Sequence, residues 1–108
     1  MITVLAAGRG ASAPALEEAA AGRPSLEVMT AEEDEEVLNK LARNRRVDAV
    51  LLMPGPRAAG LAAAIREEDP AGPPIYGWGE AAWIEGVQKL AATTAAEAIE
   101  EVVRKLSG

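Results

Sequence analysis

The chain has no cysteine, no histidine and no phenylalanine among its 108 residues. Without cysteine there are no disulfides, no thiolate metal sites and no thiol nucleophile. Without histidine the side chain most often used as a general base or transition-metal ligand near neutral pH is missing. Most common enzyme mechanisms are closed on these grounds, and the expectation is a protein that is not an enzyme and needs no cofactor. Long apolar runs are also missing: none approaches the ~20 residues that cross a bilayer. Met1 leads straight into Ile2-Thr3-Val4-Leu5 with no basic leader, so a cytoplasmic protein without membrane contact is expected. Bases are few, 11 against 17 acids, for a net charge of −6. Only Arg43, Arg45 and Arg46 gather without acids nearby, which disfavours nucleic-acid binding through the phosphate backbone.

What is present fits one domain over 1–108, with 49% hydrophobic and 26% charged residues. Aromatics are 3% of the chain, so the core must be aliphatic. Short β-like runs alternate with helical runs five times, which is the pattern of a parallel sheet covered by helices on both faces. The strands are read at Ile2 to Ala6, Leu26 to Met29, Ala49 to Met53, Ile75 to Trp78, and Gln88 to Ala91. The first and third are apolar nearly throughout, as central parallel strands are. Leu26 and Val28 alternate with Glu27, which suits an edge.

Helices fill the intervals. The first is read from Ala13 to Ala21, with Pro14 in its first turn and Gly22 ending it. Thr30 and Glu33 have the spacing of a capping box, ahead of a helix whose apolar stripe is Val37, Leu38, Leu41 and Ala42. Acids crowd its start and bases its end, matching the helix dipole. A third helix spans Arg57 to Asp69, with Leu61 and Ile65 inward and Pro70 as its stop. A short fourth spans Glu80 to Glu85. Thr94 and Glu97 make a second capping box before a last helix striped by Ile99, Val102, Val103 and Leu106, with Glu100–Arg104 and Glu101–Lys105 spaced for ion pairs.

From Arg46 onward, particular words add to this order. Val47-Asp48-Ala49-Val50-Leu51-Leu52, Gly60-Leu61 with Ile65-Arg66, and Pro74-Ile75 resemble the third strand, third helix and fourth strand of the receiver domain of two-component response regulators. The resemblance implies a flavodoxin-like α/β sandwich of three layers, its five-stranded parallel sheet in the order 2-1-3-4-5. It also implies a role in bacterial signal transduction. Active receivers hold Mg²⁺ and a phosphoryl group with an acidic pair after the first strand, an Asp ending the third, a Thr or Ser after the fourth and a Lys after the fifth. Here Ala6-Ala7, Met53, Gly79 and Ala91-Ala92-Thr93 stand in those places. A hard cation needs oxygen ligands and an aspartyl phosphate needs a carboxylate, so the resemblance implies a pseudo-receiver that is not phosphorylated. Asp48 opens the third strand at the end away from the crevice, and reads as structural.

Two sets of residues are candidates for contact. Tyr76, Trp78, Trp83 and Ile84 gather the scarce aromatics near the fourth strand and short helix, either as a protein-interaction or dimerisation surface or as core filling. Receivers commonly dimerise through the neighbouring face of fourth helix, fifth strand and fifth helix. Gly8, Arg9, Gly10 and Ser12, with Met53 and Gly79 across the crevice, form either a phosphate- or anion-binding turn or a plain tight turn. The glycine turn lacks the Gly-Lys-Ser/Thr ending of a Walker loop and the third glycine of a dinucleotide fingerprint.

Overall fold

The computed structural model describes residues 2–8, 16, 18, 21–43 and 46–107. Five parallel strands form one sheet: β1 (Ile2–Ala7), β2 (Leu26–Ala31), β3 (Ala49–Leu52), β4 (Ile75–Gly77) and β5 (Gln88–Lys89), in the order β2-β1-β3-β4-β5. This is the expected doubly wound order, with the most apolar strand, β3, at the centre. All four residues of β3 are buried, as a strand covered on both faces must be.

Period-two alternation divides the strands between two cores. Val4, Ala6, Leu51 and Tyr76 face one way and pack with Leu16 and with Ala98, Ile99 and Val102 of α3 (Ala95–Ser107). Leu5, Ala7, Val50, Leu52 and Ile75 face the other way, against Val37 of α1 (Asp34–Arg43) and Leu61 and Ile65 of α2 (Ala58–Glu68). Each fully buried aliphatic side chain of this kind contributes about 1.5–3 kcal/mol relative to exposure. Helices therefore lie on both faces. Of the helix read at Ala13 to Ala21, Leu16, Glu18 and Ala21 are described and helical, and Gly22 follows in a turn; the rest of that segment lies outside the described residues.

Several local expectations are corrected. The first capping box does not form. Thr30 belongs to β2, paired with Ala6, and its carbonyl accepts a hydrogen bond from Lys40 Nζ. β2 runs on to Ala31 because β1 continues opposite it, and the Gly8 N–H donates to the Ala31 carbonyl at 2.9 Å. α1 starts at Asp34 instead, and the Glu36 carboxylate reaches back to accept from the Glu32 N–H at 3.0 Å. In the α1 stripe Val37 is buried, Leu38 and Leu41 are half-buried, and Ala42 is exposed.

The short fourth helix is a 3₁₀ turn over Gly79–Trp83, too short to continue as an α-helix before β5. β5 keeps only two residues. Glu100 and Glu101 do not pair along α3: Glu100 binds Arg23 at 2.7 Å, and Glu101 accepts from the Ala91 N–H. The second capping box does form. The Glu97 N–H donates to Thr94 Oγ1 at 3.2 Å, and the Thr93 and Thr94 hydroxyls donate to the Glu97 carboxylate. Pro70 ends α2 as expected, with Asp69 before it out of the helical region at φ −143° and ψ 79°.

Candidate functional site

The carboxyl ends of β1 and β3 define a crevice, and two backbone hydrogen bonds set its floor. Gly8 is tied to β2 through Ala31, and the Met53 N–H donates to the Ala7 carbonyl at 2.9 Å. Gly8 adopts φ 115°, a region closed to most L-residues, and a Cβ there would lie 3.5 Å from that of Met53. Met53 is 6% exposed, its thioether packed into the α3-side core. Gly79, at φ 59°, opens the 3₁₀ turn above Pro54. The crevice brings Gly8 and Met53 together as the sequence suggests. Arg9, Gly10 and Ser12 lie outside the described residues.

A cavity of about 250 Å³ opens here between Gly8, Met53, Leu61 and Arg57. Glu32, Glu33 and Asp34, exposed at the start of α1, line it as well. Sequence reading missed these acids as crevice residues because it placed them in a capping box and a solvated helix face. Among the described residues, the side chains lining the cavity include the carboxylates of Glu32, Glu33 and Asp34 and the guanidinium of Arg57. Among the described residues no group of three Asp, Glu, His or Cys converges as metal ligands.

At the other end of Asp48's strand, its carboxylate accepts from the Thr3 N–H at 2.8 Å and its own N–H donates to the Thr3 carbonyl at 2.8 Å. The side chain thus extends the β1–β3 ladder, the structural role expected of it.

The aromatic residues do not form one exposed cluster. Tyr76 and Trp78 share a face, as strand alternation requires, but both pack in the α3-side core; Tyr76 is 5% exposed. The Trp78 indole N–H is buried with no hydrogen-bond partner among the described residues. Ile84 packs half-buried against the opposite core. Trp83 alone is outside, 76% exposed, with the Lys89 ammonium 3.7 Å above its ring. That cation–π pair holds the one lysine of β5 on the outer surface. No local pattern announces the pair, because it depends on the 3₁₀ turn and β5 lying side by side.

No protein-family model and no curated protein matches the chain. Solved structures do. A chain of the complex between histidine kinase ThkA and response regulator TrrA superimposes with a TM-score of 0.70 at 22% identity, covering 100% of both chains. TrrA from Thermotoga maritima in complex with Mg²⁺ and BeF gives 0.68 at 21%, covering 98% of this chain and 99% of that one. A chain from the complex of the phosphorylated P1 domain of CheA3 with CheY6 of R. sphaeroides gives 0.66 at 18%, covering 99% and 98%. At such identities the likeness establishes the fold, a flavodoxin-like sheet of the receiver type.

Proposed function

We propose that this chain is a receiver-like domain of bacterial signalling or regulation that docks a protein partner and neither accepts a phosphoryl group nor catalyses a reaction. The observation that carries the reading is the buried thioether of Met53 at the carboxyl end of β3, beside Gly8. A phosphoryl group needs an oxygen nucleophile to bond to and oxygen ligands for its metal; a thioether is a poor substitute for either. Ala6, Ala7 and Gly79, at other positions that the receiver resemblance marks, carry no oxygen-donor side chain, and Ala91-Ala92-Thr93 offers no lysine. Glu32, Glu33 and Asp34 also line the crevice cavity, but they belong to the start of α1 and the loop before it, not to the strand end where Met53 stands.

Docking is supported by company and by surface. Two of the similar structures are complexes of signalling proteins, ThkA with TrrA and the CheA3 P1 domain with CheY6. Among the described residues the large exposed hydrophobic side chain is Trp83, beside the sheet edge at β5. Exposed tryptophan is rare on a surface with no partner and common at interface cores. A second copy of the chain and a different protein are both partners of the kind this surface suits.

The test is direct. Incubation with acetyl phosphate and Mg²⁺ leaves the intact mass unchanged, and a species heavier by one phosphoryl group refutes the reading.

A further inference from the structure

Opposite charges line the crevice cavity without meeting. Glu33 and Asp34 at the start of α1 and Arg57 just before α2 are exposed, and all three border the same space of about 250 Å³. Among the described residues none of these three side chains makes an ion pair or a hydrogen bond, with one another or elsewhere. α2 also starts without a side-chain cap, since Arg57 holds the capping position and makes no such bond. The first N–H groups of an uncapped helix carry partial positive charge and favour a carboxylate. Apolar side chains complete the lining, with Met53, Pro56, Ala58 and Leu61 beside the charges.

We propose that this cavity binds a free aliphatic α-amino acid, its carboxylate on Arg57 and the start of α2, its ammonium on Glu33 and Asp34, and its side chain among Met53, Pro56 and Leu61. Charge selects the class. A plain anion leaves the two acids unanswered, and a plain cation leaves Arg57 so; a ligand carrying both signs engages all three. At neutral pH a free amino acid carries both, on adjacent groups. The amino terminus of a peptide has no carboxylate beside its ammonium and meets only half of the site. Size agrees, because sites for drug-sized molecules run to about 300–1,000 Å³ and this cavity is smaller. The binding goes beyond the docking function and is independent of it, since Trp83 is not part of the lining.

L-Alanine, L-valine and L-leucine, each titrated into the ¹⁵N-labelled chain, are the probes. The expected signature is amide shifts confined to the neighbourhood of Gly8, Glu33, Asp34, Arg57 and Leu61. Two analogues of leucine each lack one charge: 3-methylbutylamine has no carboxylate and 4-methylpentanoate no ammonium. Each should bind about tenfold or more weakly than leucine, the loss of one charged hydrogen-bonding group. Arg57→Gln should weaken leucine by a similar factor and leave the amine unchanged, whereas Glu33→Gln with Asp34→Asn should weaken leucine and leave 4-methylpentanoate unchanged. All three positions are exposed, and the amide spectrum of each variant checks that it remains folded. Either analogue binding as tightly as leucine overturns the proposal, because a single charge then suffices. Leucine shifts that neither variant alters overturn the placement of the site, and no response to any of the three amino acids overturns the proposal outright.

Discussion

Gly8 shows how much a single position contributes to the crevice. Its backbone is held at φ 115° by a hydrogen bond to β2 while the next strand end, Met53, lies against it. Gly8→Ala has room for its methyl, since contact with Met53 at 3.5 Å is ordinary, so its cost is conformational. A loss of about 1–3 kcal/mol is expected in urea unfolding, the range for residues forced into sparsely populated φ/ψ regions. Glu97 makes a second prediction. Hydrogen bonds from the Thr93 hydroxyl, and then from that of Thr94, hold its carboxyl below the usual glutamate range. A depressed folded-state pKa stabilises the protein above the unfolded value, and that contribution fades as pH falls through the folded one. The stability gap between the parent and Glu97→Gln is therefore widest near neutral pH and narrows in acid. The effect is small because the carboxylate is fully exposed, and a gap constant with pH removes its basis.

Among the elements, the two Thr-x-x-Glu patterns have opposite fates, and the reason is tertiary. Thr94 follows a loop and is free to cap α3, whereas Thr30 is claimed by β2 because β1 runs on beside it as far as Ala7. Thr94→Ala is expected to cost about 1 kcal/mol, the usual value of an N-cap side chain. Thr30→Val, on a half-buried strand, stays within about 0.5 kcal/mol of the parent, and chemical denaturation of the pair separates them. Apolar content made β3 and the stripe of α3 readable from residues alone, since Val50, Leu51, Leu52, Ile99 and Val102 have only one kind of environment that suits them. Met53 was readable too, at the carboxyl end of the central strand, although β3 itself stops one residue earlier at Leu52. The acids lining the crevice and the Trp83–Lys89 pair were not readable, because they join segments whose meeting depends on strand order and on a 3₁₀ turn, which leaves no periodic trace.

For the molecule as a whole, the sheet grades from a sealed centre to a light edge. Leu5, Val50, Leu51 and Leu52 are fully buried, while both residues of β5 are exposed. Amide hydrogen exchange should follow that gradient, slowest across β1 and β3 and fast at Gln88 and Lys89; uniform protection across the sheet contradicts it. An easily opened edge is where a partner can bind without disturbing the core. The two indoles report on that division of labour. Trp83 faces water with a cation above it, so its fluorescence should lie to the red and iodide, drawn by the ammonium, should quench it strongly. Trp78, packed in the core, should emit to the blue and be largely shielded. A protein settling on the β5 edge would dim iodide's access to the first and leave the second untouched, which makes docking visible by light emission from the unlabelled chain.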